Sequence, residues 1–192
     1  RLLQKFVPGS LPVHEVRADA FDLQEDYFAR GWTDGLPIVP PTPALVERFL
    51  SFAGLAPDTV VGVLDQREVT VTAEHVAINA VMAGCRAEYL PVVVAAVKAL
   101  LQPEGHAHIV TATTNNPAQV LVVNGPVRDE IGLNCGQSCF GPGFRPNATI
   151  GRALQLVIRN VGGGRPGEID RAALGHPGKL GFCFAEREHD SP

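Results

Sequence analysis

Two consecutive apolar segments, residues 73–83 and 88–101, constrain the fold of this chain more than any other feature of its sequence. The first follows Thr72, a suitable N-cap, repeats apolar residues at helical spacing and stops at Gly84. The second is the most apolar helical segment of the chain, and it tolerates Pro91 because that residue falls in the first turn. Helices this apolar need cover on most of their surface, so we expect a helical layer buried against a sheet or a partner subunit.

Strands are expected on both sides of these helices along the chain. Segments rich in β-branched residues predict a hairpin over residues 59–64 and 68–71, two strands over residues 108–113 and 119–124, and a last strand over residues 180–185. Turn-forming residues separate the members of each pair. The sequence therefore predicts a small sheet made of short strands.

Two further helices complete the predicted architecture. One spans residues 43–53, with Thr-Pro before its first turn and a glycine after its last. The other spans residues 148–161 and follows Asn147, a good N-cap residue. Residues 1–30 have no long period and are interpreted as an N-terminal arm. The prediction is an α+β or mixed α/β fold, with a single domain over residues 31–192 in which apolar helices cover a small sheet.

Composition limits the classes of function. The net charge of −4 argues against a nucleic-acid binder, which usually carries a basic surface. No apolar run reaches the roughly 18–20 residues that a membrane span requires. Four cysteines are too few for a disulfide-rich secreted scaffold, and the opening residues lack the pattern of a signal peptide. We therefore expect a cytoplasmic protein that acts on a small molecule and forms an oligomer through its apolar helices and N-terminal arm.

The segment from Gly132 to Gly164 holds the strongest candidate site. Cys135 and Cys139 lie in a glycine-rich loop there, with Ser138 beside them, and no other cysteines are so close in sequence. Their C-x-x-x-C spacing is neither that of thioredoxin-like redox sites nor that of structural zinc sites. Backbone N–H groups and a nearby arginine would favour a reactive thiolate. The alternative is that both cysteines are small apolar core residues.

A metal site is the rival use of these thiols. His106 and His108 are two residues apart and would share one face if that segment is extended. Together with Cys135 and Cys139 they would supply a tetrahedral set of ligands for a divalent metal such as zinc. The His-x-His pair is otherwise simply part of a strand face.

The end of the same loop is a candidate anion site. Gly141 and Gly143 precede Arg145, Asn147 and Thr149, so backbone N–H groups and an arginine at a helix start would bind a carboxylate or phosphate. The pattern is neither a P-loop nor a dinucleotide-binding fingerprint. The alternative interpretation is a glycine-rich connector that makes tight turns.

Other candidates are more dispersed. The only tryptophan, Trp32, lies beside Asp34 in an irregular stretch that either lines a pocket or forms a packed turn. His75 is a possible catalytic residue, although a lone helical histidine is more often structural. His176 lies in a turn and, with Lys179, would supply acid–base groups if the turn reaches a pocket.

Several segments together resemble a bacterial family associated with UGSC-motif selenoprotein-like proteins. The resemblance covers most of the chain from Gly31 onward and is carried by GWTDGLPIVPPT (31–42), VAINAVMAGC and EYLPVVVAAV (76–97), NGP (124–126), and FGPGFRPNATIGRALQLVIRNVGGGRPGEID with GHPGKLGFCFAE (140–186). The UGSC proteins are in turn similar to component B of glycine, sarcosine and betaine reductases, which use a selenol or thiol to cleave a carbon–heteroatom bond. The resemblance implies a relative or partner of such a thiol or selenol enzyme.

One departure limits what the resemblance carries over. The chain has no UGSC or CGSC string, and its nearest equivalent is CGQSC, residues 135–139, with one extra residue. The two cysteines are therefore a feature of this chain and are not assigned by the family.

Three hypotheses follow. The first is a cysteine-dependent enzyme that cleaves or transfers a carbon–heteroatom bond of a small anionic substrate, with Cys135 or Cys139 as nucleophile. The second is a metal-dependent lyase or hydratase in which the two thiolates are ligands. The third is a non-catalytic subunit of a UGSC-type complex, docked through its apolar helices.

Overall fold

The computed structural model describes Leu11 and residues 19–190. Within these residues the helices and strands are, in chain order, α1 (Ala20–Ala29), α2 (Pro43–Ala53), β1 (Val60–Leu64), β2 (Val69–Thr72), α3 (Ala73–Ala83), α4 (Leu90–Leu100), α5 (Ala107–Thr111), β3 (Leu121–Val123), α6 (Val127–Glu130), α7 (Arg145–Asn160) and β4 (Cys183–Ala185). The strands form two two-stranded sheets. The fold is a mixed α+β single domain, as the sequence predicts.

Helix α3 lies in the core and packs most extensively on α7, with further contacts to α2 and α4. Its residues Val76, Ala77 and Ala80 have no exposed surface, and neither have Leu90 and Val93 of α4. The two apolar helices are therefore covered within the chain, by other helices and by β1, without a large sheet. None of the described helices is both long enough and apolar enough to cross a bilayer.

The predicted caps fix the ends of the helices. The Thr42 side chain accepts a hydrogen bond from Leu45 N–H at the start of α2, and Gly54 ends that helix in the left-handed region with φ of 63°. At α3, the Thr72 hydroxyl and the His75 ring each accept a hydrogen bond from the other residue's backbone N–H, which forms a capping box. These local signals explain why both helices occupy the predicted positions.

The two sheets connect very different spans of chain. β1 and β2 form the predicted antiparallel hairpin, in which Leu64 is opposite Val69. β3 and β4 pair in parallel, with Leu121 beside Cys183. Because α6, the cysteine loop and α7 lie between these two strands in sequence, the β3–β4 pair closes this whole part of the chain on itself.

A contact between two glycines places β4 against α7. A Cβ atom on Gly151 would lie 2.6 Å from the backbone nitrogen of Phe182, and one on Gly181 would lie 2.6 Å from that of Arg152. Both distances are far below van der Waals contact, so the two backbones touch where any side chain would separate them. This close approach sets the position of the segment that leads into β4.

The predicted strand over residues 108–113 is wrong, because residues 108–111 belong to the short helix α5 and the two that follow are irregular. In α5 the Thr111 hydroxyl donates to the carbonyl of Ala107 at 2.6 Å and accepts from Arg67 Nη2 at 2.6 Å. The Arg67 guanidinium also donates to the carbonyl of Gly162, just after α7. The β-branched residues predicted a strand, but these long-range contacts stabilise a helical turn.

Two helix starts also differ from the prediction. α7 begins at Arg145 with Phe144 as its N-cap, so Asn147 lies inside the first turn and is not the cap. In the predicted N-terminal arm, residues 20–29 form α1, which is capped by the Asp19 carboxylate. Apart from Leu11 and Asp19, the earlier part of the arm lies outside the described residues.

Candidate functional site

The loop that carries Cys135 and Cys139 is held by the side-chain amide of Asn147. Its oxygen accepts from Asn134 N–H at 2.9 Å, and its nitrogen donates to the carbonyls of Asn134 and Cys139 at 3.0 and 3.2 Å. Asn147 is buried on the first turn of α7. One amide on a rigid helix therefore fixes both the chain that enters Cys135 and the chain that leaves Cys139.

Internal hydrogen bonds stiffen the loop further. The Asn134 side chain accepts from Gly136 N–H at 2.9 Å and donates to the Gln137 carbonyl at 3.0 Å. Cys139 N–H donates to the Gly136 carbonyl at 3.2 Å and so closes a turn. Ser138 has φ of 59°, an uncommon backbone conformation for a residue with a side chain. The loop thus has a defined shape, in which Cys135 directly precedes a turn that Cys139 closes.

The four cysteines fall into two classes. All are free thiols, but Cys135 and Cys139 are partly exposed whereas Cys85 and Cys183 are buried. Burial raises the pKa of Cys85 to about 12, and the hydrogen bond with the Thr149 side chain and the charges of Arg145 and Arg152 oppose this only in part. Burial, together with the nearby Cys85, likewise raises the pKa of Cys183 to about 12. The buried pair is therefore unreactive at neutral pH, and only the loop pair is accessible to a reactant.

The predicted anion-binding groups are already engaged within the protein. Arg145 donates to the carbonyls of Gly84 and Cys85 at 2.9 and 3.4 Å, where it satisfies the chain that leaves α3. Thr149 donates to the Arg145 carbonyl at 2.8 Å, and Gly141 N–H donates to the Ser138 carbonyl at 2.8 Å. Gly143 has φ of 111° and supports the connector interpretation. The end of this loop serves mainly to make tight turns.

The predicted metal ligands are not brought together. His106 and His108 are exposed, the first just before α5 and the second within it, so they do not share the face of a strand. Within Leu11 and residues 19–190, no group of three His, Cys, Asp or Glu side chains could hold a metal ion. The donor set needed for a two-thiolate, two-histidine site is absent from this part of the chain, so we derive no chemistry through a metal.

His75 has a structural role at the start of α3. Its Nδ1 accepts from Thr72 N–H at 3.1 Å. Burial lowers the pKa of His75, and the opposing charge of Glu74 only partly offsets this effect. A neutral ring that accepts a capping hydrogen bond accounts for this histidine without a catalytic function.

An exposed aromatic cluster borders the cysteine loop. Phe140 is 69% exposed, and its ring contacts those of Phe182 and Phe184 edge-on, with centroid distances of 5.3 and 4.8 Å. Phe140 directly follows Cys139 in the chain. The partly exposed cysteines of the loop are therefore next to an apolar surface that a substrate or a partner can contact.

Asp34 and Trp32 join the irregular stretch to α7. Arg152 binds the Asp34 carboxylate through two hydrogen bonds of 2.8 Å, and Asn160 donates to the Trp32 carbonyl at 2.9 Å. Burial alone would raise the pKa of Asp34, but the hydrogen bonds and charge of Arg152 outweigh it and hold the pKa below its ordinary value. The Tyr27 ring packs edge-on against that of Trp32 at 5.4 Å, so the stretch is a packed turn at this point.

The other end of α7 borders a cleft of about 470 Å³, a size suited to a small molecule. Asp34, His176 and Lys179 line it, together with Gln155 and Arg159 of α7. Asn147 and Arg159 are twelve residues apart on α7, roughly 18 Å along the helix axis. The sequence paired His176 with Lys179 but did not connect them with Asp34, which lies in a distant part of the chain.

Comparison with known proteins gives no relative for this chain. No protein-family model matches it, and no curated protein or solved structure shows significant similarity to it. The resemblance to the UGSC-associated family therefore stays a prediction from the sequence.

Proposed function

We propose that this protein is a thiol-dependent enzyme that uses Cys135 and Cys139 to cleave a carbon–heteroatom bond. One observation carries the proposal: the Asn147 amide holds the two ends of the C-x-x-x-C turn together while both thiols stay free and partly exposed. A rigid turn with two accessible thiols permits one sulfur to react and the second to resolve the adduct.

The steps that cleave the substrate need no reactant other than the substrate and the two thiols. A thiolate of the pair displaces the heteroatom leaving group from carbon and forms a carbon–sulfur bond. The second thiolate then attacks that sulfur and expels the substrate carbon as a carbanion, which a carbonyl group on the adjacent substrate carbon stabilises as an enolate until it takes up a proton. The net change replaces a carbon–heteroatom bond by a carbon–hydrogen bond, releases the protonated leaving group and converts two thiols into a disulfide. A small external thiol returns the disulfide to two thiols by exchange.

Thiol mapping tests this proposal. The native protein is alkylated with iodoacetamide under anaerobic conditions, and each cysteine is quantified by mass spectrometry. We expect Cys135 and Cys139 to react within minutes at neutral pH and Cys85 and Cys183 to react only after denaturation. The buried pair is the internal control, because all four rates come from one sample. Equal protection of all four cysteines would contradict the proposal.

Variants separate the two sulfurs. In Cys139→Ser, the first displacement still occurs, so bromopyruvate, a small anion whose reacting carbon is next to a ketone, should leave a stable adduct on Cys135. In the wild-type protein the second thiolate should resolve the same adduct, with release of pyruvate and formation of a Cys135–Cys139 disulfide. Wild-type turnover in both Cys135→Ser and Cys139→Ser would exclude the cysteine mechanism.

A docking subunit of a thiol or selenol enzyme is a second candidate, supported by the exposed ring of Phe140 beside the cysteine loop. The apolar helices predicted to dock are covered within the chain itself, which leaves the aromatic cluster as the apolar surface next to the thiols. If docking is the function, Phe140→Ser should prevent co-purification with a UGSC-type protein, while Phe52→Ser on the exposed side of α2 should not.

A further inference from the structure

We propose that the cleft at the C-terminal half of α7 binds a small organic monocarboxylate that carries an apolar body. This site is separate from the cysteine loop, and its residues are different. The inference therefore does not depend on the proposed thiol chemistry.

Among the residues that the structure describes, the charges that line the cleft leave one cation without an acidic partner. Asp34 is bound by Arg152 through two hydrogen bonds, and Asp170 is bound by Lys179 at 2.6 Å. All four of these side chains are at most 20% exposed. Each carboxylate is thus neutralised by its own cation, and neither is available to repel an incoming anion.

Arg159 is the remaining cation. Its Nε donates to the Gly31 carbonyl at 3.3 Å, which restrains the guanidinium. Arg159 lines the cleft, and its two Nη groups make no hydrogen bond to any described residue. A guanidinium with free Nη donors suits a carboxylate, which accepts two parallel hydrogen bonds from it.

Three further side chains in the cleft have unused hydrogen-bonding capacity. His176 Nδ1 accepts from Gly178 N–H at 3.0 Å, so the neutral ring carries its proton on Nε2. Gln155 donates to Gln119 at 2.7 Å, which leaves the amide oxygen of Gln155 and the amide nitrogen of Gln119 without a partner among the described residues. These groups would orient the polar end of a ligand.

The rest of the lining is apolar. Ile158, Leu174, Leu180 and three prolines face the same cleft, and Leu174 is 93% exposed. A ligand that covers these side chains removes apolar surface from water, so affinity should rise with the apolar area of the ligand. A single unpaired cation matches a monoanion better than a phosphate dianion. Together these features select a carboxylate with an apolar body over inorganic phosphate.

Titration calorimetry with acetate, hexanoate, benzoate and inorganic phosphate tests this inference on the wild-type protein. Hexanoate and benzoate should bind saturably with a stoichiometry of one, acetate more weakly, and phosphate most weakly. Arg159→Gln should weaken benzoate binding about tenfold or more, because it removes hydrogen bonds to a charged group. Arg48→Gln, an exposed arginine on α2 outside the cleft, should leave the affinity unchanged.

A measurement on the wild-type protein guards against misfolding of the Arg159 variant. In NMR spectra, the side-chain amide signals of Gln119 and Gln155 should shift when benzoate is added. Absence of saturable binding by hexanoate and benzoate in the millimolar range would overturn the site. Equal affinity in the folded Arg159→Gln protein would do the same, and phosphate binding as tight as benzoate would overturn the ligand class.

Discussion

The two ends of α7 are built differently. At its first turn, the side chains of Asn147, Arg145 and Thr149 all donate hydrogen bonds to backbone carbonyls of the described chain, so this end supports a loop. At its last turns, Arg159 and Gln155 keep donors or acceptors that the described protein does not use. One end offers thiols on a rigid support, and the other offers free polar groups around a cleft.

The comparison separates two kinds of polar residue that look alike in sequence. An arginine or asparagine at a helix start is a natural candidate for binding an anion, yet here Arg145 and Asn147 bind backbone carbonyls. A buried carbonyl without a partner costs free energy, so these side chains form hydrogen bonds within the protein that a ligand would otherwise receive. Substitutions at the two ends should therefore change different properties, stability at the first and binding at the second.

The largest effect is expected from Asn147→Ala. The change removes three hydrogen bonds and leaves the Asn134 N–H group and the Cys139 carbonyl without a partner among the described residues, while the Asn134 carbonyl keeps its bond from Ala185 N–H. The free energy of unfolding should therefore fall by about 3 kcal/mol. Alkylation of Cys135 and Cys139 should become faster as the loop loosens. Urea unfolding and labelling rates measure the two effects, with exposed Asn115→Ala as the control. Wild-type values for both would show that the loop does not depend on Asn147.

Gly151→Ala should have the next largest effect, because it lies between the two ends and touches backbone. A Cβ atom there has no space beside Phe182, so we expect a loss of about 2 kcal/mol from overpacking. Thermal unfolding followed by circular dichroism measures it. In Gly136→Ala the nearest atom would be 3.5 Å from the new Cβ, an ordinary contact, and stability should be nearly unchanged. Similar melting temperatures for the two variants would rule out the glycine contact as a constraint.

Asp34→Asn tests the ion pair that joins the irregular stretch to α7. At neutral pH the variant should lose about 1.5 kcal/mol, since it removes a charged partner of Arg152. The pKa of Asp34 is lowered in the folded state, so its contribution is present above the ordinary value near pH 4 and is lost as pH falls through the folded pKa. The gap between wild type and variant should therefore close in acid. Asp26→Asn, in an exposed pair with Arg30, is the control and should show a small gap at every pH.

The smallest effect on stability is expected from Arg159→Gln, even though this variant should have the largest effect on carboxylate binding. Its single hydrogen bond to Gly31 is long, so the free energy of unfolding should change by no more than about 0.5 kcal/mol. Urea unfolding without ligand gives the value. A loss as large as that of Asn147→Ala would make Arg159 a structural residue like those at the other end of the helix.

Much of the fold was predictable because its signals are local. Thr42 and Gly54 mark the two ends of α2, and Thr72 and Gly84 mark those of α3. The β1–β2 hairpin follows from segments rich in β-branched residues on either side of a short turn. Each of these features depends on residues within a few positions of one another.

The failures come from contacts between distant residues. The segment 108–113 is rich in residues that favour strands, but contacts with Arg67 stabilise its first four residues as part of a helix. Asn147 is of a residue type that often caps helices, but its side-chain amide forms hydrogen bonds with residue 134, thirteen positions earlier. The cleft unites Asp34 with residues 155–180, and no spacing rule connects them. The sequence also did not show how exposed each cysteine is. In the folded chain Cys85 and Cys183 are buried, whereas Cys135 and Cys139 are partly exposed.

The parallel pairing of β3 with β4 has a consequence for how the chain folds. Leu121 and Cys183 are 62 positions apart, so their pairing closes a long loop, and the entropic cost of closure has to be met before the strands stabilise each other. The contacts of α3 with α2 and α4 join nearby parts of the chain and need no such closure, whereas its contacts with α7 need the C-terminal segment. We expect a nascent chain to dock α2, α3 and α4 first and to enclose the cysteine loop late. During that interval all four thiols are open to oxidation, so the yield of correctly reduced protein should depend on the redox conditions during synthesis.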